Sequence, residues 1–321
     1  MDNDPFARIL VAVDGSSTAN AAVAAAVHIA TVQGSAIRFV SVFERAKLIA
    51  ACSEPYGGID VGATLDAVEA THAAVIDGAL AAAAAGGVRA TGTVRDGGDA
   101  ADEILAEARS WQAGCIVIGT HARHGIARAV LGSCAEATLR GSTCPVLIVP
   151  HAASAVWRRV ACAVDDSPAA RRAFSAALDY ALRHDAELHL IGVVPIEDAY
   201  AAAYERDGFD PSGSVATIYA HPRALLKRLA EEAAARGARV TQHVLGGSDI
   251  AERIVSCAER YACNLIAIGT HGRGGLTRAM LGSVAEGVIR TAPVAVLAFH
   301  DAHTEHAVEP APAAAARSST S

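Results

Sequence analysis

The residues best suited to chemistry form a glycine-rich segment, 269–283, which reads Gly-Thr-His-Gly-Arg-Gly-Gly-Leu-Thr-Arg-Ala-Met-Leu-Gly-Ser. An apolar run, 265–268, precedes it, and Ser283 stands three residues before Glu286, the spacing of a capping box. Glycines let backbone N–H groups approach a ligand closely, and a helix N-terminus favours anions. The segment therefore predicts a buried strand, then a phosphate-binding loop, then a helix capped by Ser283.

A second copy of this segment lies about 150 residues earlier in the chain. Without gaps, 119–150 and 269–300 are identical at 15 of 32 positions, which indicates an internal duplication. Each copy also has an aspartate at the end of its first predicted strand, Asp14 and Asp165. Ligands of open α/β sheets bind beyond the carboxyl ends of the strands, where a carboxylate accepts hydrogen bonds from ribose hydroxyls. The alternative is that each aspartate only caps the following helix.

The elements that must position these residues alternate between apolar strands and helices in both halves. This alternation predicts an α/β fold of two tandem open parallel five-stranded sheets, with helices on both faces. The strands predicted for the first half are 8–13, 36–43, 88–95, 115–118 and 146–149, its helices include 17–33, 60–85 and 100–112, and loops are predicted at 44–59 and 197–213. The predicted domains are 1–151 and 156–300, followed by a disordered tail, 301–321.

Composition excludes several classes of protein. The chain has 321 residues, 52% of them hydrophobic and only 4% aromatic, which favours alanine-rich helices packed on sheets. A net charge of −7 argues against nucleic-acid binding. No apolar run reaches the roughly 18 residues of a membrane span, and the acidic N-terminus does not resemble a signal peptide. Seven scattered cysteines without a CxxC pair indicate reduced thiols, so we expect a cytoplasmic protein.

On these residues, both halves resemble the universal stress protein family in its tandem form. Nucleotide-binding members of that family carry Gly-x2-Gly-x9-Gly-Ser/Thr after the fourth strand. The second half matches this motif in full, at Gly269, Gly272, Gly282 and Ser283. The first half matches it at Gly119, Gly132 and Ser133, but it has Ala122 in place of the second glycine.

The resemblance implies a strand order of 3-2-1-4-5 in each half, with the ligand near the ends of the first and second strands. It places Asp14 and Asp165 at the ribose and the backbones of Val42 and Val193 at the adenine. It places Val284 beside Ser283 among the ligand-binding residues. The implied ligand is an adenine nucleotide, expected to be ATP with Mg²⁺.

The resemblance also implies that the fifth strands, 146–149 and 294–299, pair with each other. That pairing would make an internal pseudo-dimer, to which homodimerisation and an unknown protein partner can be added. No metal site held by the protein is predicted, because His121 and His124 are not repeated as a pair in the second half. Cys134, at a predicted helix start, is interpreted as a packing residue, since its counterpart is Val284.

Three functions stay open from the sequence. The first is a stress-response sensor or regulator that binds nucleotide and is not a fast enzyme, because neither glycine loop contains a lysine. The second is a slow ATPase or nucleotidyl transferase, for which His121, His124 and His271 would be the candidate water-activating residues. The third is a nucleotide-free interaction scaffold. Whether the first site is occupied also stays open, because Ala122 adds a β-carbon to the loop.

Overall fold

The computed structural model describes residues 4–52, 60–120, 131–151, 153–195, 211–270 and 281–300. The first half comprises β1 (Arg8–Ala12), α1 (Ser17–Gln33), β2 (Ala36–Val42), α2 (Arg45–Cys52), α3 (Val61–Ala85), β3 (Ala90–Arg95), α4 (Ala100–Ser110), β4 (Cys115–Gly119), α5 (Ser133–Gly141) and β5 (Val146–Val149). The second half comprises β6 (Arg159–Ala163), α6 (Pro168–His184), β7 (Glu187–Pro195), α7 (Pro211–Ala235), β8 (Arg239–Gly247), α8 (Ile250–Arg260), β9 (Leu265–Gly269), α9 (Ser283–Thr291) and β10 (Ala295–Phe299).

All these strands form one sheet of ten strands, ordered β3-β2-β1-β4-β5-β10-β9-β6-β7-β8. Each half therefore has the predicted order 3-2-1-4-5. Strands within a half are parallel, whereas β5 and β10 pair antiparallel, with Leu147 opposite Leu297. The predicted pairing of the fifth strands is confirmed, and it joins the two predicted sheets into one.

Apolar strands form here because helices cover both faces of the sheet. Val11 and Phe39 point to the face covered by α1, α3, α6 and α7. Leu10 and Ile116 point to the opposite face, under α4, α5, α8 and α9. Successive strand residues thus enter different cores, as the pleat of a β-strand requires. This layering leaves the carboxyl ends of the strands open to a ligand.

The predicted loops were partly wrong. Residues 44–59 were predicted as a loop, but α2 occupies Arg45–Cys52 within them, and 53–59 lie outside the described residues. Helix α7 begins at Pro211, inside the loop predicted at 197–213, and proline suits a first helical turn; residues 197–210 lie outside the described residues. The predicted tail, 301–321, also lies outside the described residues.

Helix α3 qualifies the expectation that no segment could cross a membrane. By length and composition, this helix is long and apolar enough to do so. In the structure it lies on the sheet surface, where Ile76, Ala79 and Ala83 are its buried residues. It contacts β2, β3 and α1. Much of its alanine-rich surface is exposed.

Candidate functional site

The two strand-end aspartates lie where the sequence predicts a ligand site. Strand β1 pairs with both β2 and β4, and β6 pairs with both β7 and β9. The carboxyl ends of these neighbouring strands therefore meet at one edge of the sheet in each half. Asp14 follows β1 and is exposed, whereas Asp165 follows β6 and is half-buried.

Neither aspartate is the helix cap. Ser16 caps α1 by accepting the Ala19 N–H at 3.1 Å, and Ser167 caps α6 in the same way through Ala170. Oδ1 of Asp14 instead accepts the Ser16 N–H at 2.9 Å. Oδ1 of Asp165 accepts both the N–H and the hydroxyl of Ser167, at 3.0 and 2.5 Å. Each aspartate thus orders the turn between strand and cap through a single oxygen.

The first glycine of each motif brings the glycine loop against that turn. A β-carbon on Gly119 would lie 2.6 Å from the Thr18 carbonyl carbon and 2.9 Å from the Ala19 nitrogen. A β-carbon on Gly269 would lie 2.8 Å from the Ala170 nitrogen. Real β-carbons do not approach backbone atoms this closely, so both positions require glycine. The end of the fourth strand in each half therefore lies against the first turn of the helix that follows the aspartate.

The last glycine of each motif is the N-cap of the next helix. Gly132 precedes α5 and Gly282 precedes α9, both with extended backbone, and a glycine offers no side-chain acceptor to the first-turn N–H groups. The Gly282 N–H donates to the Thr270 carbonyl at 2.8 Å, so these two residues lie next to each other. The backbone amides of the α9 N-terminus are thereby held near Gly269.

The predicted capping box is wrong. Ser133 and Ser283 are the first residues of α5 and α9, and each lies one position inside the helix, after its glycine cap. Glu286 does not reach back to the cap; its carboxylate accepts a hydrogen bond from Arg290 Nε at 2.9 Å. The sequence spacing pointed to the correct helix but assigned its cap one residue late.

The backbone of Val42 is directed toward β1, at the carboxyl edge of the sheet. Just after β2, the Phe43 N–H donates to the Arg95 carbonyl of β3, whereas the Val40 carbonyl accepts from Val13, just after β1. Because neighbouring residues of a strand direct their backbone groups to opposite sides, Val42 faces β1 like Val40. Strand β1 ends at Ala12, so the polar groups of Val42 lie at the edge of the crevice.

The corresponding residue of the second half, Val193, has the same placement. The Ile191 carbonyl accepts from the Val164 N–H at 2.9 Å, and Val193 follows Ile191 by two residues. Its backbone therefore also faces the first strand of its half. The side chains of Val42 and Val193 pack against the core under α4, α5, α8 and α9.

Two histidines near the strand-end acids were missed by the sequence analysis. His72 on α3 lies with Nδ1 2.7 Å from the Ser41 hydroxyl, and burial lowers its pKa, although the nearby Asp14 charge acts in the opposite direction. In the second half, His221 on α7 pairs with Asp166. The two positions are not equivalent in the duplication, since His221 corresponds to Thr71. Comparing the halves therefore gave no signal for either.

Several predicted residues cannot be placed. Ala122 and Gly272 lie outside the described residues, as do His121, His124 and His271. Cys134 is described, and burial raises its pKa. The interpretation of Cys134 as a packing residue is confirmed, because its side chain packs against the core under α4 and α5.

The described groups have complementary chemistry. Each crevice combines a carboxylate, outward backbone groups at the end of the second strand, and a helix N-terminus without a side-chain cap. Carboxylates accept bonds from hydroxyls, and helix N-termini bind anions. Such an arrangement suits a ligand that carries both hydroxyls and phosphates.

Comparison with known proteins identifies relatives of both halves. The sequence model of the Universal stress protein family matches residues 5–150 and 157–300. A universal stress protein of Mycobacterium tuberculosis is 31% identical over 191 residues, which are 58% of this chain and 61% of that protein. One from Bacillus subtilis is 33% identical over 149 residues, 45% of this chain and 99% of that protein.

Solved structures show the same fold. A universal stress protein from Archaeoglobus fulgidus superposes with a TM-score of 0.69 at 22% identity, covering 92% of this chain and 99% of that one. A Pseudomonas aeruginosa protein described as functionally unknown gives a TM-score of 0.64 at 20% identity, covering 94% and 95%. At these identities the likeness establishes the fold alone.

Proposed function

Because this chain belongs to the universal stress protein family, we propose that it binds an adenine nucleotide, ATP with Mg²⁺, and acts as a stress-response sensor or regulator. One observation carries the proposal. In both halves, a strand-end aspartate, a glycine whose position leaves no room for a β-carbon, and a glycine-capped helix meet at one edge of the sheet. A helix N-terminus without a side-chain cap leaves its first N–H groups available to an anion, which suits a phosphate.

In the second half, each group has a role that its chemistry supports. Asp165 would accept hydrogen bonds from ribose hydroxyls through Oδ2, since Oδ1 already holds Ser167. The backbone of Val193 would bond the adenine edge. The remaining predicted contacts would be to the phosphates, from the backbone at Gly272, Ser283 and Val284, with Gly269 and Gly282 placing the loop and the helix N-terminus beside them.

Mg²⁺ would enter this site with the phosphates. Among the described residues, no group of three His, Cys, Asp or Glu side chains is placed to hold a metal. Magnesium commonly keeps several waters and binds through substrate phosphates. Its contribution would be to neutralise phosphate charge.

The first half would bind the same ligand more weakly. Asp14, Val42, Gly119, Gly132 and Ser133 occupy the matching positions. Ala122 adds a β-carbon where the family motif has glycine, which restricts how closely the loop backbone can approach a phosphate. The second site is therefore the principal one in this proposal.

The test is mass spectrometry of the nucleotide that the purified protein retains. Wild type should carry adenine nucleotide, and Gly272→Ala should lose most of it. Asp165→Asn, which keeps an oxygen acceptor for Ser167 but removes the charge, should also retain less, whereas Asp14→Asn should retain nearly as much as wild type. Unchanged retention in both second-half variants would refute the assignment of this site.

The same preparations separate the other candidate functions. Release of inorganic phosphate from ATP above background, lost in Asp165→Asn, would indicate a slow ATPase. Absence of nucleotide from wild type, with no ATP binding by calorimetry, would leave an interaction scaffold. A cytoplasmic location is supported by seven free cysteines, since reduced thiols are typical of that compartment.

A further inference from the structure

A groove of about 600 Å³ lies between α1 and α3 on one face of the first half. Its walls are mainly aliphatic, formed by Val23, Val27, Val75 and Ala79 among others. Apart from His28, none of the described residues that line it is acidic or basic. The volume falls within the range of small-molecule sites, roughly 300–1,000 Å³.

Two contacts beside this groove join the first helix and its preceding turn to α3 and its C-cap. At one end, a β-carbon on Gly15 would lie 3.0 Å from Val75 Cγ2, so the turn before α1 touches α3. At the other end, the Thr31 hydroxyl donates to the Gly86 carbonyl at 3.2 Å. These contacts hold the two helices in place relative to each other.

The second half shows what normally fills this space. Helices α6 and α7 are the duplicates of α1 and α3, at offsets of 151 and 150 residues. Four aliphatic positions of the groove carry larger side chains there, and all four are buried: Phe174 for Val23, Leu178 for Val27, Leu225 for Val75 and Leu229 for Ala79. At these positions, the first half thus has one aromatic ring fewer and smaller aliphatic side chains.

The mouth of the groove also differs between the two halves. In the second half, Arg171 forms a bidentate ion pair with Glu232 at 2.7 and 2.8 Å, which bridges α6 and α7. The duplicate positions in the first half are Asn20 and Ala82, both exposed, and neither carries a charge. A second bridge, from Arg236 to Asp179 at 2.7 Å, is replaced by Gly86 and His28. The first half therefore has neither the larger side chains nor these bridges.

We propose that this groove binds a free, uncharged small molecule that has an aromatic ring and a short aliphatic chain. The ligand would occupy the space that Phe174 and the leucines fill in the second half. Asn20 and His28 lie on the groove and suit one hydroxyl or carbonyl group of the ligand. This site is separate from the proposed nucleotide site, whose ligand is polyanionic, although Val13 and Gly15 line the groove on either side of Asp14.

The test uses 4-butylphenol as the probe, with isothermal titration calorimetry and thermal unfolding of the full chain. Wild type should bind the probe and unfold at a higher temperature in its presence. Val23→Phe/Ala79→Leu, which transfers the second-half residues, should weaken binding at least tenfold. Ala81→Leu adds the same leucine at an exposed position of α3 and should bind as wild type does.

A surface variant keeps the test decisive if the core variant folds poorly. Asn20→Arg/Ala82→Glu transfers the ion pair to the mouth at two exposed positions and should also weaken binding at least tenfold. Equal binding by wild type and this variant would overturn the proposal. The proposal would also be overturned if wild type did not bind the probe but sedimented with neutral phosphatidylcholine vesicles. The same holds if wild type were a dimer and the mouth variant a monomer. Retained nucleotide is measured in the same preparations, so that a failure of this proposal can be distinguished from a failure of the proposed nucleotide site.

Discussion

At the scale of single residues, close backbone contacts leave no room for a β-carbon at Gly119 and Gly269. We expect Gly119→Ala to lower the free energy of unfolding by about 1–3 kcal/mol, since the added β-carbon would meet Thr18 backbone atoms that cannot rotate away. Gly269→Ala should cost a similar amount. Gly98→Ala is the matched control, because a β-carbon there meets nothing within 4 Å, and its change should stay within about 0.5 kcal/mol. Urea unfolding measures all three, and equal midpoints would contradict the packing role.

His184 makes stability depend on pH. Its ring stacks on Tyr180 with centroids 3.9 Å apart, and its Nε2 lies 3.2 Å from the Gln33 amide nitrogen. Burial lowers its pKa to about 4, and the charges of His28 and Arg183 act in the same direction.

An unfolded histidine titrates near 6.5, so between about pH 6.5 and 4 the unfolded chain binds a proton that the folded protein does not. Stability is therefore expected to fall as pH is lowered through this window and to be unaffected by this group above it. Thermal unfolding from pH 8 to 4 tests this. His184→Gln should show a shallower decline than wild type, and parallel curves would disprove the assignment.

At the scale of elements, the N-terminus of α9 joins stability to ligand binding. Gly282 has the extended backbone of an N-cap, φ −62° and ψ 142°, which aspartate also adopts. Gly282→Asp should stabilise the helix by about 0.3–1 kcal/mol, because a carboxylate at a helix N-terminus is favourable. The same carboxylate would occupy the amides and repel phosphate, so nucleotide retention should fall at least tenfold. Gly132→Asp is the control in the first half. If Gly282→Asp kept its nucleotide, α9 would be excluded from the site.

The elements themselves were largely predictable, because buried parallel strands and alanine-rich helices differ in length and in the glycine, proline and capping residues at their ends. The errors come from positions where local signals compete. Ser283 resembles a cap, yet Gly282 adopts the cap conformation. Helix α2 lies shortly before Pro55, Gly57 and Gly58, whose turn signals led to a loop being predicted for the whole segment. His72 and His221 approach the strand-end acids through tertiary packing of long helices, which no spacing along the sequence encodes.

At the scale of the whole molecule, the sheet makes the two halves one structure. Leu147 and Leu297 face each other across β5 and β10, and both belong to a core that also contains residues of α1 and α6. Each of these strands would be an exposed, wholly apolar edge if the halves separated. Duplication and edge pairing therefore explain each other, because the second copy covers the edge of the first.

Such continuity predicts that the halves unfold together. The two tryptophans report on different halves: Trp111 lies under Arg8 at 4.6 Å in the first, and Trp157 packs against Tyr180 in the second. In Trp111→Phe and in Trp157→Phe, the fluorescence of the remaining tryptophan should change at the same urea concentration as the circular dichroism of that variant, because a cooperative unit has one transition. A Trp111 signal that changes before the circular dichroism would show that the first half, with its open groove, unfolds independently of the sheet it shares.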